Sequence, residues 1–308
     1  MSAMLLDAAS LYFRAFHALP TSITNSEGRP VNAVRGFLDM LASLVRRFQP
    51  SHLVACLDDD WRPAWRVELV PSYKAHRMDT GHPGQELAPD ELGPQVPVLL
   101  EVLDALGVAK LGMTDHEADD VIATLTTRLR SAMAVDVVTG DRDLFSLINA
   151  PDDSGHEVRV LYTSRGVNNL VPVDAAELMQ RYEVTPPQYA EVAVLRGDSS
   201  DGLPGVPGIG EKTATRLITS FGSLAGVLAA IERGDSGVKP RQAAGITEHV
   251  DYITAATRVT GVVRDLPIGE LDTAKPNAPV NIGRLAELGE RYRLAGSLTR
   301  VTTALYGG

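Results

Sequence analysis

Three apolar stretches of the chain each end in an aspartate. "AMLL" ends at Asp7, "LVACL" ends at Asp58, and "VDVVTG" ends at Asp141, with Asp143 two residues later. Runs of this length are typical of buried strands, and each is followed by a segment that can form a helix, so the order predicts a largely parallel sheet. Ligands of such sheets bind outside the carboxyl ends of the strands, so these carboxylates are expected to lie close together. For any single position, the alternative is an aspartate that only starts a turn.

A second acidic group lies in "HEADDVIATL", residues 116–125. Glu117, Asp119 and Asp120 precede apolar residues at the spacing of a helix with one buried face, which places the three acids in its first turn. Acids at this end of a helix gain about 0.3–1 kcal/mol each from the helix dipole, which is one explanation for them. The other explanation is that they bind metal ions together with the aspartates at the strand ends.

A glycine-rich stretch, "RGDSSDGLPGVPGIGEKTATRL", spans residues 196–217. It is not a P-loop, because Glu211 separates Gly210 from Lys212. It is not a dinucleotide fingerprint either, because Thr213 stands where the third glycine is needed and no strand precedes the stretch. The stretch is instead typical of a tight turn between two helices.

This turn predicts a helix-hairpin-helix that holds a phosphate of the DNA backbone without reading its sequence. Gly205, Gly208 and Gly210 are expected to leave backbone N–H groups exposed, and the next helix starts near Glu211 with its positive end at the same place. Lys212 adds a positive charge. A purely structural turn is the alternative.

Two further acids, Asp198 and Asp201, precede the glycines and are three residues apart. At helical spacing they would share one face. They could join the acids at the strand ends if the second half of the chain packs against that edge of the sheet.

The composition is that of a soluble globular protein: 308 residues, of which 44% are hydrophobic and 22% are charged. Cys56 is the single cysteine, which excludes an internal disulfide and favours a reducing, intracellular setting. No apolar run reaches the roughly 18 residues of a membrane span. The net charge of −10 argues against nucleic acid, but the charge falls to −1 once the nine acids above are counted as metal ligands.

The order of the elements predicts two parts. Residues 1–172 are expected to form the α/β core, and residues 173–308 a mainly helical lobe. Residues 59–97, here called the 59–97 segment, interrupt the strand–helix alternation with charged residues, Pro and Gly. A functional lid and a solvated insertion are the two explanations for this segment.

Six blocks carry a resemblance to a known family. They read "LLDAASLYFRAFHALP", "VACLDDDWRPAWR", "YKAHR", "HEADDVIATL", "VTGDRDLFSLI" and "RGDSSDGLPGVPGIGEKTA". These blocks and their order resemble those of the 5′-nuclease domain of bacterial DNA polymerase I and of the flap endonuclease superfamily. Within that group, the chain resembles the free-standing 5′-nucleases. The resemblance implies an α/β fold with a mostly parallel central sheet, a helical arch formed by the 59–97 segment, and a helical lobe with the helix-hairpin-helix at about residues 202–213.

The resemblance also implies roles for individual residues. The metal ligands would be Asp7, Asp58, Glu117, Asp119, Asp120, Asp141, Asp143, Asp198 and Asp201. Lys74 and Arg77 match basic residues of the arch that contact the scissile phosphate, and Arg14 matches a basic residue near the first strand. We assign Tyr73 and Thr213 to DNA binding with the glycine loop, which in the family often holds K⁺.

The implied activity is hydrolysis of DNA phosphodiesters, as a 5′–3′ exonuclease and 5′-flap endonuclease, in replication, repair and the removal of flaps or RNA primers. Ligands that are all hard oxygens predict Mg²⁺ or Mn²⁺, with two or more ions in the site. The expected partner is DNA with a 5′ flap, a 5′ overhang or a nick. We expect a monomer in the bacterial cytoplasm, associated with the nucleoid and not with a membrane.

The chain departs from the family pattern at a few positions. Gly202 stands where the family usually has Asn, and Cys56 and Leu57 replace the more usual aliphatic–Phe pair. Asp59 and Asp60 add two acids beside Asp58, which leaves open the identity of the side chain that faces the metals.

Three other functions compete with this interpretation. One is a metal-dependent ribonuclease with a related sheet. Another is a phosphatase with an aspartate nucleophile, which would need Asp-x-Asp after the first strand, where Ala9 stands. The third is a DNA-junction binder without catalysis, against which the full set of acids argues.

Overall fold

A single six-stranded sheet forms the centre of the protein in the computed structural model, which describes residues 1–82, 86–149 and 156–307. Its strands are β1 (Ser2–Asp7), β2 (His52–Cys56), β3 (Ala109–Leu111), β4 (Ala134–Thr139), β5 (Val158–Tyr162) and β6 (Val171–Val173). The spatial order is β3-β2-β1-β4-β5-β6, and only the pairing of β5 with β6 is antiparallel. The prediction of a mostly parallel sheet is confirmed.

The apolar runs form central strands because both faces of the sheet are covered by helices. Met4, Leu5 and Leu6 of β1 are all fully buried. Leu5 packs into the core on one face, while Met4 and Leu6 pack into the core on the other face. The apolar runs therefore end where the chain leaves the sheet, and polar side chains can begin there.

The helices between the strands are α1 (Ala8–Ala18), α2 (Asn32–Phe48), α3 (Ala64–Leu69), α4 (Gln95–Leu106) and α5 (Ala118–Leu129). The helix expected from "HEADDVIATL" is α5, with Glu117 as its N-cap residue. The 59–97 segment contains α3 and a 3₁₀ turn at Ala75–Arg77. Part of this segment packs against the second half of the chain, because Val70 and Tyr73 are buried with Leu203.

The second half of the described chain is helical. Its helices are α6 (Ala175–Tyr182), α7 (Pro186–Arg196), α8 (Glu211–Phe221), α9 (Leu224–Glu232), α10 (Pro240–Glu248), α11 (Val250–Thr260), α12 (Ile282–Arg291) and α13 (Ala295–Tyr306). The sequence patterns do not single out α10, α11 or α13. Helices α11 and α13 are hard to predict because they are rich in Thr and Val, whose branched side chains lower helix propensity. Packing rather than local preference therefore decides their conformation.

The expectation that residues 173–308 form one helical lobe is corrected by the position of α12 and α13. Leu288 of α12 and Val301 of α13 lie in the same buried core as Phe37 of α2. Arg300 of α13 also forms a two-point hydrogen-bonded ion pair with Asp39 of α2, at 2.9 and 3.1 Å. The last part of the chain thus belongs to the packing of the α/β core.

Within the part of the chain that the structure describes, no single helix is long and apolar enough to cross a membrane. Helices α8 and α9 reach the required length and composition only as a pair, with a bend of 79° between them.

Candidate active site

A cleft of about 650 Å³ opens at the carboxyl ends of β1 and β4. The acidic residues that line it are Asp7, Asp58, Glu86, Glu117, Asp119 and Asp141. Parallel strands place the residues that follow them at the same edge of the sheet, and the first turn of α5 comes to that edge as well. The structure therefore brings together five of the acids expected from the sequence, and adds Glu86.

Hydrogen bonds connect the acids at the ends of β1 and β4. Asp7 caps α1: its Oδ1 accepts from the N–H of Ser10 at 3.0 Å. Its Oδ2 accepts from the hydroxyl of Thr139 at 2.6 Å, and that hydroxyl accepts from the N–H of Asp141 at 2.9 Å. The carboxylate of Asp7 is thus connected, through the hydroxyl of Thr139, to the backbone of the turn that carries Asp141.

Three consecutive acids follow β2, and the structure distinguishes the one that faces the cleft from the other two. Asp58 lines the cleft, and its Oδ1 accepts from the N–H of Ala118 at 2.7 Å, at the start of α5. Asp60 is used locally, because its Oδ1 accepts from the N–H of Arg62 at 2.9 Å. Asp59 is exposed to solvent and is not among the residues that line the cleft.

A second group of acids continues from Asp141. Asp143 begins a 3₁₀ turn at Asp143–Leu147, and its N–H donates to Oδ1 of Asp141 at 2.9 Å. The pKa of Asp143 is raised well above its usual value by burial, then by the charges of Asp141, Asp201 and Asp198. The turn after α7 therefore brings Asp198 and Asp201 near Asp143, although none of these three acids lines the cleft itself.

The helical spacing assumed for Asp198 and Asp201 is wrong. Helix α7 ends at Arg196, and Gly197 follows with a φ of +84°. Both aspartates lie in the turn after the helix, where the N–H of Asp201 donates to the carbonyl of Asp198 at 3.3 Å. They approach each other through the turn and not through a shared helix face.

The cleft raises the pKa values of the carboxyl groups that line it. Burial is the largest cause for Asp7, whose pKa rises from 3.8 to about 7, and the charge of Asp58 adds to it. Burial also raises the pKa of Asp119 well above its usual value, followed by the charges of Asp141 and Asp7. The pKa values of Asp58, Glu117 and Asp141 are likewise raised, with burial first among the causes. Crowded carboxylates of this kind favour a bound cation.

Three basic residues stand beside the acids, and all three line the cleft. Nζ of Lys74 lies 2.8 Å from Oε2 of Glu117. Nη2 of Arg77 lies 3.1 Å from Oδ1 of Asp201. Arg14 reaches the cleft from α1. In residues 1–82, 86–149 and 156–307, no three His, Cys or acidic side chains are spaced to hold a metal ion as they stand.

Asp120 does not belong with the other acids of α5. It is fully buried and forms a two-point ion pair with Arg66, with distances of 3.0 Å from Nη1 to Oδ2 and 2.8 Å from Nη2 to Oδ1. It is also absent from the lining of the cleft. The expected place of Asp120 among the acids of the cleft is corrected by this pairing.

Tyr73 is also not placed for DNA binding. Its side chain is 3% exposed, and its hydroxyl donates to the carboxylate of Glu117, 2.9 Å from Oε1. The aromatic ring packs with Val70 and Leu203, so the structure gives Tyr73 a role in holding Glu117.

The glycine loop lies between α7 and α8 as the sequence indicates. The N–H of Gly205 donates to the hydroxyl of Tyr252 at 2.9 Å, so this N–H is not exposed, and that part of the prediction is wrong. Gly205 is needed because a Cβ there would overlap the backbone of Arg196. Gly208 and Gly210 face open space, and Lys212 is exposed in the first turn of α8.

Thr213 is half-buried in the same turn of α8, with its N–H donating to the carbonyl of Gly210 at 3.0 Å. Its assignment to DNA binding therefore concerns the side chain alone and stays a prediction.

Two residues of the site escaped the sequence analysis. Arg66 is one of several basic residues in the 59–97 segment, and nothing in its neighbourhood in the sequence marks it as buried. Glu86 lines the cleft, and its pKa is raised by burial, with Arg77 and Lys74 opposing the shift. Both positions depend on how the 59–97 segment folds against the rest of the chain, which local patterns do not show.

Gly202 is the residue that lets the 59–97 segment lie directly on the acidic turn. It has a φ of +69°, and a Cβ there would overlap the carbonyl oxygen of Ser72. The neighbouring N–H of Lys74 donates to the carbonyl of Asp201 at 2.9 Å. The departure from Asn at this position is therefore tied to a close approach of two backbones.

We expect Gly202→Ala to lower the free energy of unfolding by about 3 kcal/mol or more, because it combines an unfavourable φ with an overlap of atoms. Gly234→Ala is the matched control: its φ is +68°, but a Cβ there meets nothing within 4 Å. The control should cost about 1–2 kcal/mol, for the backbone conformation alone. Urea unfolding of both variants measures the difference, and equal losses would contradict the close approach.

The fold and the cleft define an α/β protein with an acidic site at the carboxyl ends of a parallel sheet. The family model for the "5′-3′ exonuclease, N-terminal resolvase-like domain" matches residues 2–183, and that for the "5′-3′ exonuclease, C-terminal SAM fold" matches residues 184–281. The chain belongs to the 5′–3′ exonuclease family.

Individual relatives agree with this membership. The chain is 50% identical over 305 residues to a 5′–3′ exonuclease of Streptomyces coelicolor, covering 98% of this chain and 99% of that protein. It is 39% identical over 269 residues to DNA polymerase I of Mycobacterium bovis, covering 87% of this chain and 28% of the polymerase. A structure of T5 5′-exonuclease with bound divalent zinc ions has the same fold, with a TM-score of 0.64, 16% identity and coverage of 98% and 100% of the two chains.

Proposed function

We propose that this 5′–3′ exonuclease family member is a structure-specific 5′-nuclease that cleaves DNA phosphodiesters with divalent metal ions, both from a 5′ end and at a 5′ flap. The observation that carries the proposal is the cleft itself. Crowded carboxylates with raised pKa values stand there beside Arg14, Lys74 and Arg77. Acids for metal ions and cations for a phosphate are the two requirements of metal-assisted phosphodiester hydrolysis.

The donor set fits Mg²⁺ or Mn²⁺. The residues that would hold the ions are Asp7, Asp58, Glu117, Asp119, Asp141, Asp143, Asp198 and Asp201. All of them offer hard oxygen ligands, and none is a His or a Cys. Asp141 belongs both to the acids of the cleft and to the group around Asp143, which supports two ions rather than one. Bound ions would generate hydroxide from water and polarise the phosphate.

The side chains of the protein provide the rest of the site. Lys74 and Arg77 reach the acids from the 59–97 segment, and Arg14 reaches them from α1, so a phosphate in the cleft would have cations on two sides. Such cations stabilise the charge that develops as the phosphodiester is cleaved. The acids would orient the ions, and the hydrogen bonds that join Asp7, Thr139 and Asp141 keep these two acids at the strand ends.

DNA binding would extend from the cleft to the glycine loop. Gly208, Gly210 and the start of α8 would hold a backbone phosphate of the duplex, with Lys212 and Thr213 beside it and K⁺ at the same loop. The 59–97 segment would form the arch for the single-stranded 5′ end. The substrates would be DNA with a 5′ flap, a 5′ overhang or a nick, including RNA-primed ends. The enzyme would be a cytoplasmic monomer that acts at the nucleoid in replication and repair.

One assay tests this function directly. A duplex with an end-labelled 5′ flap is incubated with the protein in Mg²⁺, in Mn²⁺ and in EDTA, and the product lengths are mapped. We expect products cut at the base of the flap, together with short 5′ products, in either metal and none in EDTA. Cleavage that persists in EDTA, or that is confined to an RNA strand of the same design, would contradict the proposal.

The glycine loop gives a separate prediction about binding. Lys212→Ala should weaken binding to duplex DNA of any sequence and lower the slope of log affinity against log salt by about one, because one phosphate contact is lost. Lys110→Ala is the control, because it removes the same charge at a different place. Lys110 lies on the edge strand β3 and pairs with Asp104 of α4 at 2.8 Å. Salt titrations by fluorescence anisotropy measure both. An unchanged slope in Lys212→Ala would exclude this loop as the phosphate contact.

A further inference from the structure

Arg66 is a buried cation that does not itself line the acidic cleft. It lies in α3 of the 59–97 segment and is 2% exposed. Its Nη1 and Nη2 donate to the two oxygens of Asp120 on α5, and its Nε donates to the carbonyl of Val259 on α11 at 3.2 Å. One side chain thus contacts the 59–97 segment's two neighbours, the α/β core and the helical lobe.

Asp120 extends the connection from its own side. Its Oδ1 also accepts from the N–H of Val263 at 2.8 Å. One helical turn later, the hydroxyl of Thr124 donates to the carbonyl of Val263 at 3.1 Å and accepts from the N–H of Leu266 at 3.3 Å. The chain that leaves α11 is therefore attached to the same face of α5 that carries Asp120.

We propose that Arg66 and Asp120 form a buried clasp that fixes the 59–97 segment and α11 on the first turn of α5, so that Asp120 is a positioning residue and not a metal ligand. The inference rests on the proposed function, because the residues that the clasp would position are those of the metal site.

The oxygens of Asp120 are already engaged. Oδ1 accepts from Arg66 and from Val263, Oδ2 accepts from Arg66, and the residue has no exposed surface. A metal ion that took one of these oxygens would leave the guanidinium of Arg66 buried without its partner. Breaking a buried ion pair in this way is strongly unfavourable, so metal binding at Asp120 would work against the fold.

The clasp lies next to the residues that hold Glu117. Nη1 of Arg66 is 3.5 Å from Oε1 of Glu117. The hydroxyl of Tyr73 and Nζ of Lys74, both in the 59–97 segment, contact the same carboxylate at 2.9 and 2.8 Å. Because Glu117 and Asp120 share the first turn of α5, a shift of α3 would move all three donors away from Glu117 together.

The test is a double-mutant cycle with Arg66→Met, Asp120→Asn and the double variant, measured on the whole protein. We expect each single variant to lower the Tm in EDTA by at least about 6 °C, because it leaves one charge buried alone. The double variant should lose no more than the worse single variant, because the two residues act as a pair.

The single-turnover rate on a 5′-flap duplex should fall about 100-fold in all three variants. It should not recover with excess Mg²⁺, because the variants misplace the cations Lys74 and Arg77 and do not lose the metal ions.

Calorimetric titration with Mn²⁺ separates positioning from metal binding. Arg66→Met and Asp120→Asn should change the Mn²⁺ affinity to the same extent, within about threefold of each other. Asp119→Asn is the control for a ligand: it should weaken Mn²⁺ binding at least about tenfold without lowering the Tm in EDTA.

Two results would overturn the clasp. One is a Mn²⁺ affinity that falls more than tenfold in Asp120→Asn alone, with activity restored by excess metal. The other is a double variant less stable than both single variants. If a single variant does not fold, the double variant decides, since the neutral pair is expected to fold. A wild type without nuclease activity would refute the proposed function but would leave the Tm cycle and the Mn²⁺ titration interpretable.

Discussion

Asp58→Asn is expected to lower the single-turnover rate of 5′-flap cleavage by at least about 1,000-fold, with DNA affinity within about tenfold of the wild type. A metal ion bound at this site would contribute several kcal/mol to stabilising the transition state, and each 1.36 kcal/mol corresponds to a factor of ten in rate. The amide keeps an oxygen that can accept from the N–H of Ala118, as Oδ1 of Asp58 does at 2.7 Å, so the fold should be retained.

Asp59→Asn is the matched control for this prediction. Asp59 is the next residue in the chain, carries the same charge and is exposed outside the cleft. Its rate should stay within about twofold of the wild type. Quenched-flow measurement on one labelled flap duplex at saturating Mg²⁺ compares the two variants, and an Asp58→Asn rate within tenfold of the wild type would remove Asp58 from the metal site.

The acids at the strand ends could be found from the sequence because their position depends on a short-range pattern. An apolar run sets the length of a strand, and the parallel order of the sheet brings Asp7 and Asp141 to one edge. The rule needs no knowledge of side-chain contacts. It also predicts Asp58 at the same place, although it does not distinguish Asp58 from Asp59 and Asp60.

The distinction between Asp119 and Asp120 could not be made in the same way. Both lie in the first turn of α5, and the residues around them follow one helical pattern. Asp119 lines the cleft, while Asp120 pairs with Arg66, 54 positions earlier in the chain. The spacing of Asp120 and Thr124 does place them on one face of α5, but only the fold shows that this face meets the chain after α11.

The helical lobe was predictable in outline and not in extent. Helices α6 to α9 have clear apolar periodicity, and the glycines mark the turn between α7 and α8. The packing of α13 on α2 depends on contacts between residues more than 250 positions apart, such as Arg300 with Asp39. A single sequence contains no local signal for contacts of that range.

The last prediction concerns stability without divalent metal. In EDTA, the free energy of unfolding should fall as the pH rises from about 4 to about 7. The pKa of Asp7 is about 7 in the folded protein, against 3.8 ordinarily. Between these values the folded state binds more protons than the unfolded state, so raising the pH destabilises the fold, by up to about 4 kcal/mol for this one group. Asp119 and Asp143, whose pKa values are also raised, act in the same direction.

Mg²⁺ should reverse this loss at pH 7.5, because the ion binds the ionised carboxylates of the folded state and adds about 2.7 kcal/mol at a concentration of 100 times its Kd. Asp7→Asn removes one titrating charge, so it should be more stable than the wild type in EDTA at pH 7.5, lose less stability between pH 4 and 7, and gain less from Mg²⁺. Asp59→Asn should behave as the wild type in all three respects. Urea unfolding across this pH range, in EDTA and in Mg²⁺, gives each quantity. A wild type whose stability in EDTA rises through this range would mean that the acids of the cleft are stabilised by the protein's own cations, Lys74 and Arg77, and do not depend on a metal ion for their charge.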